Sequence, residues 1–174
     1  MLGAAVVVAS GCAGGTEGGS DLELPPTAPS ESTTTSSAAG PSTTLVFEER
    51  IVSAREVDET TDILSPTGNI YCVVAVEGYA QCGVLEQDWE PPPQPADCPL
   101  DWGATMSVGV DGAPADFNCA GDSSYGGPDS ERLPYGHALR AGGVVCLSEE
   151  SGMTCLGEES RRGFTISRAD YRLF

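Results

Sequence analysis

One serine and one histidine have the residue types needed for nucleophilic catalysis. Ser123 ends the run Gly121–Ser123, and Gly-Asp-Ser accompanies some nucleophilic serines, while His137 is the only histidine in the chain. The segment Gly121–Asp129 holds three glycines and a proline, and it lacks the Gly-x-Ser-x-Gly elbow that exposes a nucleophile between a strand and a helix. We therefore expect a surface loop around Ser123, a structural histidine at His137 and no catalytic residue.

Four carboxylates flank the same loop region, and paired carboxylates can hydrolyse glycosides or bind Ca²⁺. They are Asp116, Asp122, Asp129 and Glu131. No calcium-loop spacing is present, and acidic residues are numerous enough in this chain to lie close together by chance. The sequence therefore predicts no metal ion and no cofactor, and a hydrolase that uses an acid pair stays as the alternative function.

Six cysteines after residue 70 form an even set, which is typical of a disulfide framework in an exported protein. No two of them have the Cys-x-x-Cys spacing and only one histidine is available, so a zinc site is disfavoured. Disulfides would stabilise a small core. The six are Cys72, Cys82, Cys98, Cys119, Cys146 and Cys155.

The seventh cysteine, Cys12, stands in a different context. It follows the apolar run Leu2–Ala9 and the small residues Ser10 and Gly11, an arrangement that resembles the lipobox of bacterial lipoproteins. In that family the thiol receives a diacylglyceryl group and cleavage falls just before the cysteine. The resemblance implies a lipid anchor at Cys12, because the apolar run is far shorter than the roughly 20 residues that span a bilayer.

The lipobox also implies a location. Residues 1–11 are then a signal peptide, and we expect its positively charged start to lie upstream of Met1. The mature protein is expected outside the cytoplasm, anchored to the outer face of the cell membrane by lipidated Cys12.

The charge of the chain excludes several partners. It has 26 acidic residues, 8 arginines and no lysine, which gives a formal net charge of −18. The 22 acids and eight arginines that follow residue 44 give that part a net charge of −14. Such a surface repels phosphate backbones and anionic headgroups, so we expect no nucleic-acid binding and no membrane contact besides the lipid. The expected partner is a cell-envelope glycan or a protein.

Composition marks a long spacer after the signal peptide. Residues 12–44 comprise Cys12 and a tract of Gly, Ser, Thr, Ala, Pro and acids, in which Leu22 and Leu24 are the only larger apolar side chains. Such a tract cannot bury enough apolar surface to offset the entropy of ordering. We expect a flexible spacer with an end-to-end distance of about 30 Å.

Two further parts follow the spacer. Residues 45–61 form a short peripheral element, in which Phe47, Ile51 and Ala54 fit the stripe of a helix, whereas its first three residues could open a strand. Residues 62–174 show short β-like runs separated by turns. We expect one mainly β, disulfide-stapled antiparallel domain, either a sandwich or a partly open barrel built of hairpins.

Turn chemistry predicts the pairing in a first hairpin. The strand Asn69–Ala75 follows a type I turn sequence and meets the strand Tyr79–Val84 across a three-residue loop that ends in Gly78. With this loop length Cys72 lies directly opposite Cys82. Cross-strand neighbours are close enough for a disulfide, so we expect a bridge between them.

A second hairpin follows the same reasoning. The strands Val144–Ser148 and Met153–Leu156 flank a four-residue loop that ends in glycine, and this register sets Cys146 opposite Cys155. The last two cysteines then pair by elimination as Cys98–Cys119. Each bridge contributes about 3 kcal/mol in the chain-entropy model.

A hairpin is also expected between Cys98 and Cys119. The strand Thr105–Val110 and the return strand Ala115–Cys119 flank an Asp-Gly turn. Before them, the segment Trp89–Pro95 has four prolines in five residues and forms neither helix nor central strand. It is either a ligand for an aromatic groove or a rigid connector with its tryptophan packed on the domain, and the second interpretation is favoured.

Four aromatic residues lie in or near loops and are candidates for a groove that binds a sugar or a peptide. We expect Trp102 to fill the core instead, and the role of the tyrosines stays open. The four are Trp89, Trp102, Tyr125 and Tyr135.

The C-terminus is expected to be structural. Phe164–Ile166 has the composition of a strand, and Ser167 with Asp170 resembles a capping box that opens one helical turn. The residues Tyr171–Phe174 bring apolar surface to the chain end, so we expect them to pack against the β core.

Five runs are characteristic in sequence, namely Ser65–Cys72, Cys98–Gly103, Leu133–Gly136, Gly152–Cys155 and Gly163–Phe174. In this order they resemble a family of actinobacterial secreted domains and lipoproteins that is known only as a domain of unknown function. The resemblance covers about residues 62–174 with all six cysteines. It implies export from a Gram-positive cell, and it implies no catalytic residue. We expect a non-enzymatic binding module at the cell envelope.

Overall fold

The computed structural model describes residues 43–121, 126–127 and 130–174. In this part of the chain one helix precedes twelve strands. They are α1 (Thr43–Val52), β1 (Arg55–Glu56), β2 (Thr61–Leu64), β3 (Ile70–Ala75), β4 (Tyr79–Val84), β5 (Thr105–Gly109), β6 (Asp116–Phe117), β7 (Glu131–Arg132), β8 (Ala138–Ala141), β9 (Val144–Glu149), β10 (Gly152–Gly157), β11 (Gly163–Ile166) and β12 (Tyr171–Leu173).

The strands form two six-stranded sheets that face each other across one core. The first sheet has the strand order β6-β5-β4-β3-β2-β7, and the second has the order β1-β8-β9-β10-β11-β12. The main core cluster takes side chains from both sheets, and the sheets do not close into a barrel. The expected mainly β fold is confirmed in its sandwich form. Both sheets are mixed, because β7 pairs with β2 and β1 pairs with β8 in parallel.

The strand registers in the structure match those derived from the turns. Cys72 faces Cys82 between β3 and β4, and Cys146 faces Cys155 between β9 and β10. Both pairs are disulfides, with Cα–Cα distances of 4.0 and 4.1 Å. The third bridge, Cys98–Cys119, ties the segment before β5 to the segment after β6. The chain therefore contains the three predicted disulfides, two of them derived from hairpin register and the third by elimination.

The two sheets repeat one arrangement. Each has an antiparallel meander of five strands, β2 to β6 or β8 to β12, to which the short strand β7 or β1 adds from the other half of the chain. The residues that face one another across the strands form equivalent rows. These rows are Glu131-Ile63-Cys72-Cys82-Met106-Phe117 and Arg55-Leu139-Cys146-Cys155-Phe164-Leu173. An approximate two-fold axis therefore relates the two halves, which exchange their first strands.

The helix α1 covers the outer face of the second sheet. Its buried Ile51 and half-buried Phe47 pack with Val145, Leu147 and Leu156 in a separate apolar cluster. Of the two interpretations of this segment, the helix is the one observed, and it begins at residue 43, within the tract assigned to the spacer. No helix in the described ranges has the length and hydrophobicity needed to cross a membrane.

The proline-rich segment is a connector that packs on the domain. The Trp89 indole donates a hydrogen bond to the backbone oxygen of Ser167 at 3.0 Å, and its ring lies 4.7 Å from the ring of Tyr171. Phe117 contacts Tyr171 edge-on at 5.0 Å and lies 5.7 Å from Trp102. These four rings close the gap between the edge strands β6 and β12, and Trp102 packs against the core as a partly buried side chain.

The chain end forms a strand where a helical turn was expected. The Ser167 hydroxyl accepts from the Asp170 backbone N–H at 3.0 Å, as in a capping box, but the Ser167 N–H also donates to the Asp170 carbonyl at 2.9 Å. This pair closes a tight turn, and β12 returns along β11. Tyr171 packs on the core, whereas Leu173 and Phe174 are each 36% exposed, so their expected burial is wrong.

Candidate functional site

The structure separates the two described acids of the expected acid cluster. Asp116 lies on β6 and Glu131 on β7, the opposite edges of the same six-stranded sheet. Five strand spacings of about 4.8 Å put them roughly 24 Å apart. A glycosidase needs its two carboxyl groups within about 10 Å, so this pair forms no hydrolytic site. Glu131 instead accepts two hydrogen bonds from Arg55, at 2.6 and 2.7 Å.

The other residues of that loop hypothesis lie outside the described residues. These are Ser123, Asp122, Tyr125 and Asp129. His137 is described and is exposed at the start of β8, where its backbone carbonyl accepts from the N–H of Ser148 at 3.0 Å.

A groove with a volume of about 480 Å³ opens at one end of the sandwich. It is formed by the loop between β2 and β3, the hairpin between β9 and β10, and the turn between β11 and β12, so both sheets contribute. Its size lies in the range of sites that bind small molecules. Neither the location nor the size of this groove follows from any single motif in the sequence.

The β2–β3 loop is fixed by hydrogen bonds on both sides. Ser65 is 4% exposed, and its hydroxyl accepts from the Ile70 N–H at 3.0 Å. The Gly68 N–H donates to the Ser65 carbonyl at 2.8 Å, and Gly68 takes a φ of +79° that glycine adopts without strain. Arg132 of β7 donates to the carbonyls of Ser65 and Pro66 at 3.1 and 3.0 Å. The loop is therefore a rigid wall of the groove.

A second wall is the segment that leaves β4. The Asn69 side chain donates to the Glu86 carbonyl at 2.9 Å and accepts from the Glu86 N–H at 2.8 Å, so it replaces a strand partner. The neighbouring Leu85 is held by its N–H on the Asn69 carbonyl, yet its side chain is 54% exposed. Across the groove Arg168 pairs with Glu86 at 2.9 Å and with Asp88 at 3.2 Å. These hydrogen bonds and ion pairs hold the segment in place while the Leu85 side chain stays open to solvent.

The groove continues into a second cavity of about 420 Å³. Tyr135, Glu149 and Glu150 line both cavities, so they form the boundary that an elongated ligand would cross. Tyr135 is 38% exposed. The Glu149 carboxylate lies 3.4 Å from the Arg50 guanidinium, whereas Glu150 makes no ion pair with any described residue.

The opposite end of the sandwich is closed. There the two-residue turn Gly142-Gly143 replaces the five-residue β2–β3 loop and packs on the β3–β4 loop. A Cβ atom at Gly142 would lie 2.4 Å from the Val76 carbonyl oxygen and 2.7 Å from the Gly78 nitrogen. Backbone therefore fills the space that is a groove at the equivalent place in the other half.

The described lining of the groove contains few types of reactive group. Its described lining includes no histidine or cysteine. The Ser65 hydroxyl lies 3.2 Å from the Thr67 hydroxyl, and the Ser167 hydroxyl is 2.9 Å from an Asp170 carboxylate oxygen within its own turn. The other groups of the lining are an aromatic ring, an apolar side chain and carboxylate acceptors.

Three cysteine sulfur atoms are the one group of potential metal ligands that lie close together in the described residues. They belong to Cys72, Cys82 and Cys155, and all three are in disulfides. A metal needs thiolates, so this group binds none in the oxidised protein.

No single sequence motif predicts the groove, but the runs that resemble a known family point to it. Four of the five runs that resemble a known family contribute to its lining, through Ser65–Ile70, Tyr135, Gly152 and Ser167-Arg168. Each run was interpreted separately, as a turn, a loop or a strand. Only the tertiary structure shows that they meet at one place.

The comparison with known proteins agrees with that resemblance. The model of a family described as "Family of unknown function (DUF6636)" matches residues 49–174. This range covers every strand, all three disulfides, both cavities and the last four residues of α1. No curated protein and no solved structure matches the chain.

Proposed function

Because the chain belongs to DUF6636, a family of unknown function, we propose its role from its own groove. The domain is a non-enzymatic binding module at the outer face of the cell membrane, and its groove holds a neutral saccharide of the cell envelope. The observation that carries the proposal is the difference between the two ends of the sandwich. The β8–β9 turn packs directly on the β3–β4 loop at Gly142, whereas the equivalent β2–β3 loop is fixed by hydrogen bonds at Ser65 and Asn69 and leaves the groove open.

The groove has the side chains that saccharide sites use. Tyr135 presents part of its ring to solvent, and Leu85 adds an apolar contact at the first wall. An aromatic face packs against the apolar C–H surface of a sugar ring, and carboxylates accept strong hydrogen bonds from hydroxyl groups. Glu86, Glu149 and Glu150 supply these acceptors.

The charge of the protein selects a neutral ligand. The region after residue 44 carries a net charge of −14, and three glutamates stand at the groove. Anionic polymers such as those with phosphodiester backbones are repelled by such a field. A neutral oligosaccharide avoids this repulsion and still has hydroxyls to donate to each carboxylate.

The same groove disfavours the hydrolase alternative. Two of its carboxylates are committed to arginines, Glu86 to Arg168 and Glu149 to Arg50. A glycosidase needs one carboxylic acid that gives up a proton and a second carboxylate placed against the same bond. The ion pairs serve to hold the acceptors in position, which suits recognition.

The anchor is the second part of the proposal. The Cys12 thiol receives the lipid, cleavage then removes residues 1–11, and residues 13–42 act as a spacer between the membrane and the domain. The support is the lipobox-like run before Cys12 and the composition of the spacer. The disulfides favour the same compartment, because structural disulfides persist outside the cytoplasm.

Titration of the full chain with N-acetylglucosamine and glucose oligosaccharides tests the groove. We expect amide chemical shifts to change in the β2–β3 loop and the β9–β10 hairpin, and Tyr135→Ala to weaken binding at least about tenfold, or roughly 1.4 kcal/mol. The matched control is Tyr79→Ala, because Tyr79 is similarly exposed (43%) and lies at the closed end. Equal losses in both variants, or binding of a lysine-rich peptide in place of the sugars, would contradict the proposal.

Metabolic labelling with radioactive palmitate tests the anchor. The full-length protein should incorporate the label and partition into detergent, because an acyl chain binds to lipid. Cys12→Ser should abolish both. Release of the unaltered protein into the medium without label would show that the anchor is wrong while leaving the groove untouched.

A further inference from the structure

The two core disulfides touch at the centre of the sandwich. Cys82 on β4 and Cys155 on β10 occupy equivalent positions of the two halves, and their Sγ atoms lie 3.4 Å apart. The Cys72 sulfur lies within 4.8 Å of both. Cys146, bonded to Cys155, completes a group of four sulfur atoms on the approximate two-fold axis.

This group lies between two halves that share no disulfide in the described residues. Cys72–Cys82 lies within the first sheet and Cys146–Cys155 within the second, while Cys98–Cys119 belongs to the first half of the chain. All four core cysteines are at most 1% exposed. Among the described residues, the halves are joined by packing and by the chain itself, although their sulfurs are already in contact.

We propose that the two core bridges form an intramolecular thiol–disulfide exchange site that can replace them with one inter-sheet bridge, Cys82–Cys155. Exchange requires a thiolate next to a disulfide sulfur. If either bridge is opened, the freed sulfur of Cys82 or Cys155 is already beside its target. The two Sγ atoms need to approach from 3.4 Å to a bond length of about 2.05 Å.

The exchange balances without a further oxidant. A thiol or phosphine reductant gives two electrons to Cys72–Cys82 and leaves two thiols. The Cys82 thiolate then attacks Sγ of Cys155, the bond between Cys155 and Cys146 breaks, and Cys146 leaves as a thiolate that takes up the proton lost by Cys82. The product has one new bridge and two thiols, at Cys72 and Cys146. Opening of Cys146–Cys155 leads to the same product through the Cys155 thiolate.

The consequence is a response to reducing conditions built into the core. Loss of one bridge in an ordinary sandwich frees one hairpin. Here the one core disulfide that remains is transferred to the contact between the sheets. The two sheets are then joined by the bridge Cys82–Cys155. The groove is built from loops of both sheets, and the new bridge would keep those loops together.

Limited reduction of the full chain tests the proposal. The folded protein is treated with substoichiometric tris(2-carboxyethyl)phosphine, quenched with N-ethylmaleimide at low pH, and mapped by mass spectrometry without further reduction. In molecules that have lost one core bridge, we expect maleimide on Cys72 and Cys146 and a linked pair of peptides containing Cys82 and Cys155. Maleimide only on Cys72 with Cys82, or only on Cys146 with Cys155, would overturn the proposal.

Single variants give a second test that needs no reductant. In Cys72→Ser one thiol is left over, and exchange moves it from Cys82 to Cys146, so we expect the maleimide label on Cys146. The mirror variant Cys146→Ser should move the label from Cys155 to Cys72. A label that stays on Cys82 or Cys155 in a folded variant contradicts exchange, and either variant suffices if the other does not fold.

The matched control is Cys98→Ser, which leaves Cys119 as the spare thiol far from the core group. We expect its label to stay on Cys119 and both core bridges to persist. Labels spread over all the cysteines in this control would show random scrambling instead of a defined exchange site.

Discussion

The two ends of the sandwich are built from equivalent loops and have opposite properties. At one end the β2–β3 loop has five residues and stands away from the β9–β10 hairpin, which leaves a groove of about 480 Å³. At the other end the β8–β9 turn has two glycines and lies directly on the β3–β4 loop. The strands between these ends keep one register in both halves, from Ile63 or Leu139 onward.

The difference shows which parts of the fold are free to change. Paired cysteines and buried rows determine the register, and a slip of one residue would expose the whole core face. Loop length alters only what lies beyond the strand ends. The groove therefore lies where the loops of the two halves differ. Variants at equivalent positions of the two halves measure how far their similarity extends.

The largest effect is expected at the last position of each row. Phe117 and Leu173 are equivalent, but Phe117 is 6% exposed within the four-ring cluster, whereas Leu173 is 36% exposed on the edge strand β12. Phe117→Ala should lower the free energy of unfolding by about 3–5 kcal/mol, because it removes a buried ring and leaves a cavity.

Leu173→Ala is the matched control for that variant. We expect a loss of about 1 kcal/mol, since a side chain that is 36% exposed gives up less buried surface and leaves no enclosed cavity. Urea unfolding of both variants measures the two losses, and they are compared at an equal slope of the free energy of unfolding against urea concentration. Similar losses would mean that the two edges of the sandwich are equally important, contrary to the burial pattern.

The next effect concerns the bridge that has no counterpart in the second half. Cys98–Cys119 ties the segment before β5 to the segment after β6, and the two cysteines are 21 residues apart in sequence. Cys119 is exposed. Removal of the bridge should cost about 3 kcal/mol in the chain-entropy model. Under native conditions a mild thiol should reduce this bridge first, because access limits exchange. Timed alkylation checks the order, and earlier loss of either core bridge would contradict it.

The sequence was sufficient for the features that depend on neighbours along the chain. The loop lengths 76–78 and 149–152 determine the register of two hairpins, and hence the bridges Cys72–Cys82 and Cys146–Cys155. The helical stripe of α1 was visible but ambiguous, because a strand of three apolar residues fits the same start.

Features that depend on distant segments were not predictable in this way. β1 and β7 have two residues each and owe their strand pairing to Leu139 and Ile63 in the other half. The groove needs segments that lie as far apart in sequence as Ser65 and Arg168. At Ser167 the local signal for a helical turn was present, but pairing of β12 with β11 satisfies more backbone groups.

A smaller effect is expected at the closed end. Gly142 has a φ of +54° and its place for a Cβ atom is occupied by backbone of the β3–β4 loop. Gly142→Ala should therefore cost about 2 kcal/mol through strain and forced separation of the loops. Gly112→Ala is the matched control: φ is +77° and nothing lies within 4 Å of the added atom, so only the conformational cost of about 1 kcal/mol remains. Thermal unfolding of both variants separates the steric cost of the added methyl group from its conformational cost. Equal losses of stability would show that the closed end has room for a Cβ atom at Gly142.

The smallest effect is expected where the two first strands meet. Arg55 and Glu131 start the equivalent rows, and their side chains form an ion pair at 2.6 Å although each is about half exposed. Solvent screens such a pair, so a double-mutant cycle with Arg55→Gln and Glu131→Gln should give a coupling of only about 0.2–1 kcal/mol that falls with added salt.

The symmetry makes a sharper version of this test available. The double variant Arg55→Glu with Glu131→Arg swaps the two charged residues. Because the two positions are equivalent, the same ion pair can then form with the arginine on β7 and the glutamate on β1. The double exchange should then restore most of the coupling, while each single charge reversal should be the least stable member of the set, since it sets like charges against each other. A double exchange that is no more stable than the single reversals would mean that the strands β1 and β7 are equivalent in register but not in surroundings. The two-fold relation would then end inside the sandwich, before it reaches this edge.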